Sequence, residues 1–155
     1  CSIMRRGSAL KWEGVTLQQK RAMVRNADAI EVFDRGGGVV TRLFCNKAIC
    51  GADVTTGTTT LPVGKSVPLH YHNCDEQIVI LQGRAEAEFG GKRVPLGPME
   101  IAYIPAGEVH CFHNVGDEPV LMLFIYDAGE VTRTFAATGE TVPHLSPSDR
   151  AQPAG

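Results

Sequence analysis

The sequence contains no apolar run near the roughly 20 residues that a membrane-spanning helix needs; its longest, "PVLMLFIY", ends at Tyr126. No membrane partner is expected. It also lacks a basic stripe interleaved with aromatics: 15 Lys and Arg stand against 17 Asp and Glu, a formal net charge of −2. Nucleic acid is therefore not an expected partner. No glycine-rich loop leads into a helical pattern, because "RGGGVV" at Arg35 to Val40 runs into a strand, and a phosphate-cradling loop is excluded. The five cysteines, Cys1, Cys45, Cys50, Cys74 and Cys111, are odd in number and show no Cys-x-x-Cys spacing. This argues against a disulfide framework and against a zinc ribbon. Free thiols in a reducing compartment are expected. The stretch "CSIMRRGSALKWEG" has charge without an apolar segment behind it, so it does not read as a secretory signal, and the cytoplasm is the expected location.

What is present fits one domain: 155 residues can bury a single sizeable core. Helical pattern is scarce and confined to "TLQQKRAMVRNADAI", read as a short helix or ordered arm. From Gly36 the chain becomes a series of short β-branched runs punctuated by Gly, Pro, Asn and Asp, among them "VVTRLF", "QIVIL", "RAEAEF" and "EIAYI". Such runs about ten residues apart describe an all-β antiparallel sandwich or barrel. "GG" at Gly90 and Gly91 suits a hairpin. The division read here is an arm over 1–35, a β domain over 36–145, and a loose Pro- and Ala-rich tail over 146–155. Whether residues 1–22 belong to the functional unit is left open.

The chemistry concentrates in "GKSVPLHYHNCDEQIVILQG", Gly64 to Gly83. Alternate residues of a strand share a face, so His70 and His72 point together with backbones roughly 6.7 Å apart, and Tyr71 points away. Glu76 heads a strand on which it shares a face with Ile78 and Ile80. A carboxylate on an apolar face is costly unless paired or coordinated, and a metal ion would compensate it. By itself a His-x-His in a strand is more often a pair of ordinary side chains. The second cluster, "PAGEVHCFHN" at Pro105 to Asn114, changes the balance by presenting His110 at the start of another predicted strand.

Together these two stretches resemble the cupins. The first cupin motif is Gly, five residues, His-x-His, three or four residues, Glu, six residues, Gly; Gly64, His70, His72, Glu76 and Gly83 match each interval. The second ends in Pro-x-Gly, two residues, His, three residues, Asn, matched by Pro105, Gly107, His110 and Asn114. Its first glycine is missing: Met99 stands there, with Gly97 two places earlier, which leaves the turn entering that strand open to rearrangement. The resemblance covers roughly residues 50–126. It implies a small double-stranded β-helix, or jelly-roll barrel, with His70, His72, Glu76 and His110 holding one divalent metal per chain. Three imidazoles and a carboxylate suit iron, manganese, nickel, zinc or copper, with coordination positions left open for water or substrate; iron is favoured.

Three functional classes fit such a site. The expected one, by analogy with compact single-domain cupins, is a dioxygenase-type oxidoreductase acting on a small organic substrate. A lyase or isomerase using the metal as a Lewis acid on a carbonyl or sugar-acid substrate is the alternative, and a non-catalytic small-molecule-binding module is the third. A general base would come from Tyr103, His113 or Tyr71. His113, three residues after His110, falls on the opposite face of a regular strand, so surface or interface is its expected place. Tyr103, Phe112, Met122 and Phe124 are expected in the core or pocket wall. Arg42 and Arg84 are expected on solvated strand faces, with orientation of an anionic substrate as the alternative. Val79 and Leu81, facing away from the metal, need cover, and a homodimer is the expected assembly.

Overall fold

In the computed structural model, residues 20–151 are described; of the predicted helical stretch over 16–30, only residues 16–19 lie outside them, and the helix expected over the rest does not form. That part has only a single 3-10 turn at Ala27–Ala29, capped by Asn26. Among the described residues the chain forms twelve strands: β1 (Phe33–Asp34), β2 (Val40–Cys45), β3 (Thr55–Leu61), β4 (His70–His72), β5 (Glu76–Gln82), β6 (Ala85–Phe89), β7 (Lys92–Leu96), β8 (Ile101–Ile104), β9 (His110–Asn114), β10 (Val120–Tyr126), β11 (Thr132–Phe135) and β12 (Thr141–Pro143). They build two facing sheets, β1-β2-β3-β10-β5-β8 and β12-β11-β4-β9-β6-β7. The chain crosses repeatedly between the sheets, the winding of a double-stranded β-helix. The all-β expectation holds, and no described helix is long and apolar enough to cross a membrane.

Strand formation follows from alternation. In β10, Val120, Met122, Phe124 and Tyr126 are buried while Leu121, Leu123 and Ile125 are half-buried, so every second side chain enters the core. In β5 the buried set is Glu76, Ile78 and Ile80, the parity read from the sequence; Val79 is half-buried and Leu81 is 42% exposed on the outer face. β3 lies between β2 and β10, with Gly57 opposite Phe124 in register, and a Cβ on Gly57 would lie 2.5 Å from the Phe124 ring and 2.3 Å from the Arg42 carbonyl. Only glycine fits. Gly83, which ends the first motif, takes φ 84° and would drive a Cβ to 2.7 Å from the Pro119 carbonyl, so the β5–β6 turn also requires it.

Four expectations need correction. Cys45 and Cys50 are joined as a disulfide rather than free, because a one-turn helix α1 (Lys47–Cys50), capped by Asn46, folds the chain back and brings their Cα atoms to 6.0 Å. Cys74 and Cys111 are free and buried. The tail is not loose from residue 146: Asp149 and Ala151 are 0% and 1% exposed, held by the Ala151 N–H donating to the Arg35 carbonyl and by Asp149 binding Arg35 and Arg133. The arm likewise contributes β1 and Arg35 to the domain. Tyr103 is 59% exposed on the outer face of β8, because the inward positions there are Ala102 and Ile104.

Met99, at the glycine position of the second motif, keeps the turn that the glycine would make. Its φ is 65°, its N–H donates to the Ile80 carbonyl at 2.7 Å, and the Ile80 N–H donates to the Glu100 carbonyl at 3.2 Å. A left-handed conformation costs a side-chain-bearing residue about 1–2 kcal/mol, while the Met side chain is 76% exposed and gives little packing in return. Met99→Gly should therefore stabilise the fold by about 0.5–1 kcal/mol after the greater unfolded-state entropy of glycine is subtracted. Thermal unfolding should shift upward by about 1–4 °C, and an unchanged or lower midpoint would show that the turn is not strained.

Candidate metal centre

The strand pairing assembles the site. β4 carries His70 and His72 inward, β9 pairs with β4 through His70 opposite His110, and β5 brings Glu76 from the facing sheet. All four side chains are buried, at 5%, 4%, 3% and 1% exposure for His70, His72, Glu76 and His110. One ligand atom from each lies within 4.8 Å of the others.

Each imidazole is oriented from behind by a backbone carbonyl. His70 Nδ1 lies 2.7 Å from the Pro68 carbonyl, His72 Nδ1 2.9 Å from that of Thr132, and His110 Nδ1 2.8 Å from that of Glu108. A carbonyl only accepts, so each Nδ1 carries the proton and each Nε2 presents a lone pair to the centre. The Nε2 atoms of His70 and His72 stand 3.1 Å apart, and that of His110 lies 2.7 Å from Glu76 Oε2. Both His110 Nε2 and Glu76 Oε2 are buried without a satisfied hydrogen bond. Two acceptors this close require a cation between them. This donor set and its outer anchoring fit a divalent metal.

Without a metal, a proton fills the same role. Burial acts to lower the His110 pKa, but the hydrogen bond and charge of Glu76 outweigh it and raise the value. Burial acts to raise Glu76, yet His72, His110 and Tyr126 together bring it down to about 2. His72 is lowered to about 4, mainly by burial, and His70 well below its ordinary value for the same reason. Both stay neutral and ready to coordinate.

Around the ligands lies a cavity of ≈ 40 Å³, lined in part by Val67, Ile78, Phe112, Met122, Phe124 and Tyr126. Phe112, Met122 and Phe124 thus occupy the expected wall positions. The Tyr126 hydroxyl is 3.4 Å from His72 Nε2, and burial pushes its pKa well above 10, so it remains a proton-bearing phenol. On one side sits a charged cluster. Asp149 Oδ1 accepts from Arg35 at 2.7 Å and from Arg133 at 2.8 Å, and Arg133 lies 3.4 Å from His70 Nδ1. Arg35 also donates to His144 at 3.1 Å, whose pKa falls to about 3, chiefly through burial.

The catalytic candidates expected from the sequence do not reach this centre. Tyr103 donates to Asp75 at 2.6 Å on the outer surface, Tyr71 faces outward between the two ligand histidines of β4, and His113 points outward to Ser66 and Glu88. The parity of β8, β4 and β9 turns all three away. Arg42 also faces out, opposite in parity to the buried Thr41, and Arg84 is exposed in the β5–β6 turn. Cys74 packs in the core, its thiol pushed up to about 12 by burial. The residues missed were Arg35, Arg133, Asp149, His144 and Tyr126. Of these, Tyr126 was accessible by continuing the parity of Met122 and Phe124 along β10.

A metal held by this cluster would compete with a proton at His110, and the two effects have opposite sign. The raised folded-state pKa means that the metal-free protein gains stability from protonated His110 below the unfolded value of about 6.5, and loses it as pH rises through the folded value. Metal affinity should instead rise about tenfold per pH unit until that value is passed, because one proton is displaced. Calorimetric titration of manganese between pH 5 and 8 measures the slope; a flat profile in the unaltered protein would remove His110 from the ligand set.

Residues 57–126 match the family model described as the cupin domain. The polyketide synthase CurC of Streptomyces cyaneus is 28% identical over 109 residues, covering 70% of this chain and 71% of that protein. Among solved structures, the polyketide cyclase RemF from Streptomyces resistomycificus superposes with a TM-score of 0.60 at 19% identity, over 68% of this chain and 79% of that one. The Bacillus subtilis oxalate decarboxylase, a protein with Mn(II) centres, gives 0.59 at 19% identity over 65% of this chain and 29% of its own. These structural likenesses speak to the fold.

Proposed function

The chain is a cupin-domain protein, and from that premise we propose that it is a metal-dependent enzyme of the lyase or cyclase class. Its substrate is a small carbonyl compound that reacts as an oxyanion, whether enolate or carboxylate. The observation that carries this reading is the charge around the cavity. Arg35 and Arg133 oppose Asp149 and Glu76, all four buried, so the protein groups sum to zero. A divalent ion adds two positive charges to a water-poor pocket, where an anion is attracted far more strongly than in water. The relatives support the same chemistry, since polyketides and oxalate are both rich in carbonyl or carboxylate carbon.

A divalent ion held by His70, His72, Glu76 and His110 supplies Lewis acidity, stabilising charge that develops on a substrate oxygen. Manganese suits this role as well as iron does. The chain's own residues supply the rest. The three Nδ1–H···O=C bonds keep the imidazoles from turning. Arg133, fixed by Asp149, holds positive charge beside His70 and cannot swing to solvent. Tyr126 keeps its proton at neutral pH and is placed, next to His72 and Glu76, to pass it to a substrate carbon or oxygen. Phe112, Met122 and Phe124 exclude water.

Dioxygenase chemistry is the second reading, favoured by the size of the cavity: at roughly 10–15 Å³ per water site, its ≈ 40 Å³ admits only a few small groups, dioxygen among them. An oxygen electrode and mass spectrometry together separate the classes, with manganese- and iron-loaded protein assayed against oxalate, β-diketones and a short poly-β-ketone. The proposal expects product without oxygen uptake, and Tyr126→Phe should lower kcat by about 10²-fold or more while metal content stays unchanged. Product tied to stoichiometric oxygen uptake would transfer the assignment to a dioxygenase, and binding without product would leave a non-catalytic module.

A further inference from the structure

We propose that the outer face of the second sheet carries a separate site for a thiophilic divalent cation of the zinc class, built from Glu88, Cys111 and His113. The strand β9 alternates its side chains, so His110 and Phe112 enter the barrel while Cys111 and His113 leave it on the far side. On the neighbouring β6, Glu88 is the register partner of Cys111 and Glu86 that of His113. This pairing places a carboxylate, a thiol and an imidazole on one patch. His113 Nε2 lies 2.6 Å from Glu88 Oε2 and 3.2 Å from Cys111 Sγ, and the thiol lies 3.5 Å from the same carboxylate oxygen.

Tetrahedral zinc, with bonds near 2.3 Å to sulfur and 2.0–2.2 Å to nitrogen and oxygen, sets its ligand atoms about 3.3–3.6 Å apart. Two of the three edges are already close to that range. The third opens by a rotation of Glu88, whose side chain is 27% exposed; Arg93, which approaches it at 3.5 Å, is 54% exposed and free to swing into water. His113 has the outer support that ligand histidines use: Ser66 Oγ sits 2.6 Å from Nδ1. Without a metal, Nε2 donates to Glu88 and the hydroxyl donates to Nδ1; with a metal, the hydroxyl turns to accept from Nδ1 and the Nε2 lone pair is free for the ion. A thiolate, an imidazole and a carboxylate favour zinc-like ions over magnesium or calcium. Cys111 is 2% exposed, while the His113 and Glu88 side chains are 15% and 27% exposed, and three protein ligands leave a fourth coordination position for water. The barrel centre contains no sulfur ligand, so the two sites differ in kind, and β9 is common to both.

Cobalt(II) reports this difference, because only a thiolate ligand gives a sulfur-to-cobalt charge-transfer absorption. Chelator-treated protein, kept under non-reducing conditions so that Cys45 and Cys50 stay paired, is titrated with cobalt(II). Two equivalents per chain are expected, with the charge-transfer band tracking one of them. Cys111→Ser should bind one equivalent and show no band, and Cys74→Ser should retain both. Glu88→Gln, a change at a partly exposed position that leaves the core intact, should keep the barrel ion and weaken the band-forming site at least about tenfold. A titration with no band, a band that survives Cys111→Ser, or unchanged affinity in Glu88→Gln would overturn the proposal.

Discussion

Glu76 Oε2 and His110 Nε2 face one another at 2.7 Å inside the barrel, and with the His110 Nδ1 proton committed to the Glu108 carbonyl neither atom has a hydrogen to give. Burying two acceptors in contact is unfavourable unless positive charge stands between them. Much of the surrounding structure serves this constraint. The β4–β9 pairing fixes the histidines, the facing sheet delivers the carboxylate, and three backbone carbonyls determine which nitrogen of each ring points inward. The same pair therefore explains the raised His110 pKa in metal-free protein and the fit to a divalent ion: a proton and a metal are two solutions to one electrostatic problem.

A second layer sets what the centre can bind. Asp149, from a segment close to the end of the described residues, ties Arg35 near the start of the domain to Arg133 on β11, closing one side of the cavity with elements far apart in sequence. Its carboxylate accepts from two guanidiniums and from the Leu145 N–H, which offsets the cost of burying the cluster. Removing one member would leave unpaired buried charge, commonly a loss of about 3–5 kcal/mol. The cluster thus couples chain closure to the electrostatics of the pocket.

The sequence made legible what depends on local spacing. The parity of "HYH" and "EQIVIL" placed His70, His72 and Glu76 on inner faces, and the glycines and prolines marked the strand ends. It did not make legible what depends on register between distant strands. Arg133 meets His72 across a β11–β4 pairing of 61 residues' separation in the chain, and nothing in "VTRTF" alone distinguishes a buried arginine from a solvated one. Asp149 was hidden in a stretch whose Pro, Ser and Ala content resembles a free tail, and the Cys45–Cys50 bond depended on a helical turn too short to show a period. Met99 shows the reverse case: although it departs from the glycine pattern, it takes the left-handed backbone that favours glycine, held by its N–H donating to the Ile80 carbonyl and by the Ile80 N–H donating to the Glu100 carbonyl.

Four inward atoms, three imidazole Nε2 and one carboxylate oxygen, are placed to hold a single divalent ion. A crystal structure of manganese-loaded protein, with anomalous scattering recorded on both sides of the metal edge, tests this most directly. One strong anomalous peak is expected in the barrel about 2.0–2.3 Å from the Nε2 atoms of His70, His72 and His110 and from Glu76, with all three Nδ1–carbonyl hydrogen bonds intact. A barrel without a peak in fully loaded protein, or an ion bound through a flipped ring's Nδ1, would contradict this assignment.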